Sequence, residues 1–142
     1  ARASVIYGWG PAHKQNFATW IINNLNQEKE VKVLIDQYVS LTLNTNLGEM
    51  LLEIAGRKIT GILHTAGATK ASRHEFALRL AQVFNLNTNL IKPAKMNEMP
   101  WRAQRPKDSS LNVSKASALL NAKPLKINQA LEIMSSEATK NK

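Results

Sequence analysis

Two polar stretches in the first third of the sequence combine residue types that could bind a phosphorylated ligand. The first runs from Tyr7 through two glycines to Asn16, where a helix is predicted to begin. Asn16 could hold a phosphate or carbonyl beside the positive end of the helix dipole, or it could simply cap the helix. The second is Asp36-Gln37 followed by Thr42, at the end of a predicted strand. It could line a binding cleft or form an Asx turn that stabilises a loop.

A third stretch, R-A-Q-R-P-K-D-S-S over residues 102–110, places two arginines in a loop stiffened by proline. A guanidinium can donate two parallel hydrogen bonds to a phosphate, so Arg105 is a candidate ligand for a diphosphate. The alternative is a basic surface loop in which Ser110 or Asn112 caps the next helix. Both interpretations predict a loop here, because the stretch shows no hydrophobic period.

The positive charge is concentrated in the second half of the chain. The 142 residues contain 19 Lys+Arg and 10 Asp+Glu, a formal net charge of +9. Residues 92–126 alone hold eight of the basic side chains and two acidic ones. Such a cluster favours a polyanionic ligand. A small phosphorylated molecule fits better than nucleic acid, since Trp101 is the only aromatic residue in the cluster and nucleic-acid binders stack bases on several.

Several classes of function are excluded or disfavoured by what the sequence lacks. It has no cysteine, which excludes disulfides and thiolate chemistry and suits a reducing cytoplasm. It has no G-x-G-x-x-G or P-loop turn, no Tyr-x-x-x-Lys pair and no run of 18 apolar residues. Its three histidines are far apart in the sequence, so we expect no metal site. Because it has no long apolar run, we also expect no membrane segment. The chain thus carries no catalytic machinery of its own.

The hydrophobic pattern predicts alternating strands and helices, which indicates an α/β fold with a few mostly parallel strands and flanking helices. The predicted strands cover residues 3–7, 31–35, 62–65 and a short edge strand within 90–96. The first and third are apolar enough to be covered on both faces. Helices are predicted after Asn16, after capping boxes at Asn46 and Ser72, and twice after residue 112. Residues 1–134 form the predicted domain, and residues 135–142 a tail expected to fray.

The three polar stretches occur in the order found in a known family. The runs R-A-S-V-I-Y-G-W-G…N-F, V-L-I-D-Q-Y-V-S-L-T, G-I-L-H-T-A-G…S-R-H-E-F-A and R-P-K-D-S-S-L-N-V-S-K together resemble the C-terminal half of dTDP-4-dehydrorhamnose reductases. These are extended short-chain dehydrogenase/reductases, and the resemblance covers residues 2–134. Leu41 departs from the pattern, since the family usually has proline before the threonine of D-Q-x-x-x-P-T. Val5 departs as well, standing where many members have tryptophan.

The resemblance implies a function for the chain as part of a larger enzyme. Family members reduce the 4-keto group of a dTDP-linked deoxysugar with NADPH, or in some cases NADH. The cofactor is held mainly by an N-terminal Rossmann half that this sequence lacks, and that half also carries the catalytic tyrosine. The resemblance places Tyr7 and Asn16 toward the substrate and Arg105 near its diphosphate. It places Asp36, Gln37 and Thr42 at the floor of the cleft.

The expected partners are therefore the dTDP-linked sugar nucleotide and the N-terminal cofactor domain. A second copy of the chain, in a homodimer, is a further candidate partner. By itself the chain is expected to bind weakly and to reduce nothing. The same pattern also resembles the regulatory subunit of methionine adenosyltransferase, so a non-catalytic partner module is the alternative function.

Overall fold

The computed structural model describes residues 1–11 and 13–140. Strands and helices alternate along this part of the chain, in the order β1 (Ile6–Tyr7), α1 (Phe17–Asn26), β2 (Val31–Leu34), β3 (Tyr38–Val39), β4 (Thr42–Leu43), α2 (Asn44–Gly56), β5 (Ala71–Ser72), α3 (Arg73–Val83), β6 (Ile91–Ala94), β7 (Asp108–Ser109), α4 (Ser114–Leu119) and α5 (Ile127–Lys140). Single 3₁₀ turns at Thr88–Leu90 and Met96–Glu98 flank β6.

The strands form three small sheets in which parallel pairing predominates. β1 pairs with β4 and β2 pairs with β6, both in parallel. The third sheet has the order β5-β3-β7, with β3 antiparallel to β5 and parallel to β7. The predicted α/β class with mostly parallel strands is confirmed. The parallel pairing of β3 with β7 matters most for function, because it fixes the end of residues 102–107, which we call the arginine loop.

Two hydrophobic clusters hold the elements together. The larger joins the strands to α1, α3 and α5, and its fully buried side chains include Ile21, Val33, Phe76, Leu80 and Leu131. The smaller packs α2 against α4. Burying such apolar side chains is the main favourable term in folding. The second cluster is therefore a satellite of the main core.

The predicted third strand, over residues 62–65, is absent. This stretch makes only an isolated bridge between His64 and Arg2. The prediction that it and the first strand are covered on both faces is also wrong, since Ile62 is 59% exposed and Ile6 is 48% exposed. Within the described residues, β1 has β4 as its single strand neighbour. The apolar composition of these two runs thus predicted strands covered on both faces, although each run leaves an apolar side chain exposed.

The helix caps follow the sequence at two of three places. Asn16 caps α1 in a reciprocal capping box with Thr19. Ser72 caps α3 by accepting from the backbone N–H of Glu75. The predicted cap at Asn46 is wrong, because α2 already begins at Asn44. Asn46 lies in the first turn, buried, and its Nδ2 donates to the Lys123 carbonyl oxygen at 3.1 Å.

Glu53 clamps the end of α2 to the connection between α4 and α5. Its carboxylate accepts from the backbone N–H groups of Ala122 and Asn121 and from the Arg57 guanidinium. These hydrogen bonds, the Ala122 one foremost, lower the pKa of Glu53 to about 2 from an ordinary value of 4.5. The ionised carboxylate is therefore the form that stabilises this junction.

The last helix is longer than its apolar stripe suggests. α5 continues to Lys140, and residues 141 and 142 lie outside the described part. The fraying expected over residues 135–142 stays a prediction. Over the described residues, no helix is both long and apolar enough to cross a bilayer.

Candidate functional site

A cavity of about 500 Å³ lies where β2, the turn at Met96–Glu98 and the arginine loop meet. Its wall includes Asp36, Lys95, Trp101, Arg105 and Lys107. Three of these five side chains carry positive charge and one carries negative charge, so the cavity favours an anion.

A second cavity of about 250 Å³ adjoins the first and shares Met99, Trp101 and Arg105 with it. Its other lining residues are aromatic, cationic or apolar, with Gln37 among them: Phe17, Trp20, Lys32, Val33, Leu34, Gln37 and Arg73. The two cavities form one cleft, which we call the arginine cleft. Across both walls five cations face the single carboxylate of Asp36.

Arg105 lies at the junction of the two cavities. Its guanidinium carbon is 4.5 Å from the centre of the Trp101 ring, a cation–π contact that holds the guanidinium over the ring. No salt bridge among the described residues involves Arg105. Its charge therefore remains available to an anionic ligand.

The arginine loop is held at its C-terminal end by β7. The backbone N–H of Tyr38 donates to the Lys107 carbonyl oxygen at 2.7 Å, and that of Leu111 donates to the Ser40 hydroxyl at 3.1 Å. Asp108 forms a salt bridge with Lys70. This contact and two hydrogen bonds from Ser110 hold the pKa of Asp108 well below its usual range. The loop is thus anchored just after Arg105.

Asp36 lines the first cavity of the arginine cleft and Gln37 lines the second. One carboxylate oxygen of Asp36 accepts from the backbone N–H of Met96 at 3.0 Å, which ties the turn after β6 to the end of β2. Gln37 is buried, with 5% exposure. Its Oε1 accepts from Arg73 Nε at 2.6 Å, and its Nε2 donates to the Pro106 carbonyl oxygen at 3.5 Å.

The other three predicted site residues do not line either cavity. Tyr7 is 1% exposed and packs edge-on against Phe76, and burial raises the pKa of its phenol, with a smaller contribution from Glu137. Asn16 uses its side-chain oxygen on the two backbone N–H groups at the start of α1 and donates to the Gly8 carbonyl oxygen at 2.7 Å. Thr42 is fully buried in β4.

The structure thus brings together Asp36, Gln37 and Arg105, from stretches that are distant in the sequence. Sequence reasoning missed Arg73 and the cleft role of Trp101. Arg73 could have been found from its position directly after the predicted cap Ser72, at the start of a helix. Where a helix follows a strand, its first residue lies at the edge of the sheet at which the neighbouring strands end, and ligands bind at that edge. Among the described residues, no three His, Asp or Glu side chains cluster as metal ligands would.

Comparison with known proteins places the chain in a family. The model of the RmlD substrate binding domain matches residues 1–140. The chain belongs to this family. The predicted resemblance to dTDP-4-dehydrorhamnose reductases is confirmed.

Solved structures share the shape of this RmlD substrate binding domain. A dTDP-4-dehydrorhamnose reductase of Bacillus anthracis in complex with NADP superposes with a TM-score of 0.85 and 24% identity, covering 96% of this chain and 47% of the other. A hypothetical dTDP-4-dehydrorhamnose reductase of Sulfolobus tokodaii has a TM-score of 0.74 and 30% identity, covering 89% of this chain and 44% of the other. The predicted fold, one half of an extended short-chain dehydrogenase/reductase, is confirmed.

A curated relative of this RmlD substrate binding domain is also much longer than the region that the chain matches. A probable low-salt glycan biosynthesis reductase of Haloferax volcanii is 24% identical over 115 residues, which cover 80% of this chain and 38% of that protein. The chain therefore spans less than half the length of the relatives it matches.

Proposed function

We propose that the chain is the substrate-binding portion of a dTDP-4-dehydrorhamnose reductase and that the arginine cleft binds the diphosphate of the dTDP-linked sugar. The observation that carries this proposal is the convergence of residues 36–37 and 102–107 on one cleft. Two sequence motifs that resemble the family's meet there around an arginine with no charged partner among the described residues. The family match over residues 1–140 supports the same conclusion.

Charge and geometry assign roles to the cleft residues. Arg105 binds the diphosphate, because Trp101 holds its guanidinium where the two cavities meet and its N–H groups can donate in parallel to phosphate oxygens. Lys95 and Lys107 add positive potential at the first cavity. Asp36 shapes the floor through its bond to the turn after β6. These roles follow from the lining of the cleft and from its charge.

Tyr7, Asn16 and Thr42 act by supporting the cleft in this proposal. The polar groups of Tyr7 and Thr42 are buried, and that of Asn16 caps a helix. These three residues therefore affect substrate binding indirectly, by stabilising the backbone that positions the cleft residues. Asn16 fixes the start of α1, and the next residue, Phe17, lines the second cavity.

In this proposal the nicotinamide cofactor binds mainly to the other half of the enzyme. The sequence contains no G-x-G-x-x-G turn, and the space beside Gly8 is filled by the Asn44 side chain, whose Oδ1 lies 2.0 Å from where a Cβ would stand. The residues present therefore do not form a dinucleotide cradle. NADPH, or NADH, would supply hydride to the sugar C4 in the complete enzyme, and no step of that transfer is derived from this chain.

Amide chemical shifts recorded during a titration with dTDP test the proposal. We expect shifts concentrated at Trp101, Arg105 and the start of α3, with thymidine giving much smaller ones. Arg105→Gln should weaken dTDP binding about tenfold, since hydrogen bonds between charged groups are the strong ones. Arg102→Gln is the matched control, because Arg102 lies in the same loop, is exposed and lines neither cavity. Equal losses in both variants, or no shift near Arg105, would contradict the proposal.

A further inference from the structure

Arg73, the first residue of α3, directs its side chain into the second cavity of the arginine cleft. It lines that cavity together with Arg105, and its guanidinium carbon is 4.8 Å from the centre of the Phe17 ring. The side chain is half-buried, and no salt bridge among the described residues neutralises it. Partial burial of an unpaired cation is unfavourable. A ligand that supplies the missing negative charge would offset this cost.

Two like charges converge in this cavity. Burial lowers the pKa of Arg73, and the positive charge of Arg105 lowers it further. Both guanidiniums stay protonated near neutral pH, since arginine is not deprotonated in proteins. Their repulsion is relieved when a group with two negative charges lies between them. A diphosphate has that charge and enough oxygens for both.

The hydrogen bonds of Arg73 leave its terminal groups free for a ligand. Nε donates to Gln37 Oε1 at 2.6 Å, and the described contacts give the two Nη groups no partner. The Arg73 backbone N–H also donates to the Gln37 carbonyl oxygen at 3.2 Å. The bond from Nε thus orients the guanidinium, and its other four N–H groups remain able to donate to a ligand.

Gln37 links the two arginines. Its Oε1 holds Arg73, while its Nε2 donates to the carbonyl oxygen of Pro106, the residue after Arg105. A buried amide with both ends engaged fixes its neighbours, because breaking either bond would leave a buried polar group unpaired. Gln37 therefore sets the distance between the start of α3 and the arginine loop.

We propose that Arg73 is a second substrate-binding residue, which binds the same diphosphate as Arg105, and that Gln37 is the positioning residue that holds it. The first part rests on the proposed function. It makes the cleft a two-arginine clamp for a diphosphate. It also gives Gln37, expected from the sequence to meet substrate at the cleft floor, a role exerted through Arg73.

Isothermal titration of the 142-residue protein with inorganic pyrophosphate, dTDP and thymidine tests the clamp. Arg73→Met should weaken the binding of pyrophosphate and of dTDP about 10- to 100-fold, the range for charge-assisted hydrogen bonds. Thymidine binding should not change. Arg102→Met is the control for the loss of one positive charge. Arg73→Lys keeps the charge without the fork and should fall between the wild type and Arg73→Met, which guards against a folding defect in the methionine variant.

The outcomes separate this inference from the proposed function. If dTDP binds and Arg73→Met behaves like Arg102→Met, the clamp is wrong while the function stands. If pyrophosphate binding depends on Arg73 but the protein binds ADP as well as dTDP, the clamp stands and the proposed substrate is wrong. If the wild-type protein does not bind pyrophosphate at a pyrophosphate concentration on the order of 10 mM, which is near the weakest affinity that titration resolves, the clamp is wrong.

The positioning role of Gln37 has its own readout. Gln37→Met should weaken pyrophosphate binding in the wild-type background and have no further effect in the Arg73→Met background. A double-mutant cycle of this kind separates coupling from general destabilisation. Additive effects of the two substitutions would overturn the positioning role.

Discussion

Thr42 offers a sharp distinction between a residue that contacts substrate and one that supports the fold. Its hydroxyl donates to the Ser40 carbonyl oxygen at 3.1 Å and accepts from the backbone N–H of Gly67 at 3.2 Å. Thr42→Val keeps the shape but removes both bonds and leaves the buried Gly67 N–H without an acceptor. An orphaned buried donor costs about 1–3 kcal/mol and a lost hydrogen bond about 0.5–1.5 kcal/mol. The expected destabilisation, the sum of these two costs, is therefore about 1.5–4.5 kcal/mol.

The assay is urea unfolding followed by circular dichroism, combined with dTDP titration at low urea. Thr42→Ser is the matched control, since it keeps the hydroxyl and removes one methyl group, at a cost of about 1 kcal/mol. The folded Thr42→Val protein should keep its dTDP affinity within about tenfold of the wild type's, because the hydroxyl acts on the cleft only through the backbone groups it binds. Unchanged stability together with a tenfold or greater loss of dTDP affinity would refute the supporting role and return Thr42 to the substrate contacts.

Three further predictions concern stability. Gly67→Ala should destabilise by about 1–3 kcal/mol in urea unfolding, because its Cβ would lie 2.0 Å from the Leu41 carbonyl oxygen, whereas Gly10→Ala, with nothing within 4 Å, should be close to neutral. Gly48→Ala, inside α2 with open space around it, should stabilise by about 0.5–1 kcal/mol in the same assay, and a loss would contradict the assignment of that position to the helix interior. The contribution of Glu53 to the free energy of unfolding should be complete above pH 4.5 and be lost as the pH falls toward 2, because the pKa of Glu53 is lower in the folded than in the unfolded state. Glu53→Gln should therefore flatten the dependence of the unfolding free energy on pH over that range. Parallel profiles of the wild type and the variant would show that the Glu53 carboxylate contributes nothing.

Local patterns predicted most of the elements. The apolar spacing behind Asn16 and Ser72, together with their caps, predicted α1 and α3. The loop predicted over residues 102–110 holds as far as Lys107, but Asp108–Ser109 form the strand β7, because they pair with β3, which is distant in the sequence. These features depend on residues close in sequence, so a single sequence is enough to find them.

Long-range contacts account for what the sequence could not predict. The bond between Gln37 and Arg73 joins residues 36 positions apart, and no spacing rule specifies it. Ile62 belongs to an apolar run that reads as a strand, yet whether a strand forms depends on its neighbours. The cleft residues Asp36, Gln37 and Arg105 were named first from their residue types and then from the motifs of a family, while their meeting in one cleft follows only from the tertiary fold.

The position of the tryptophans gives the arginine cleft an optical readout of its own. Trp101 stacks with Arg105 and Trp20 lines the second cavity, while Trp9 donates its indole N–H to the Met134 carbonyl oxygen and packs near Phe84. A phosphate bound to the Arg105 guanidinium brings negative charge close to the Trp101 ring and changes the field at that indole, while Trp9, which lines neither cavity, serves as a constant reference. Intrinsic fluorescence of the native sequence, without label or dye, therefore reports when the cleft is occupied.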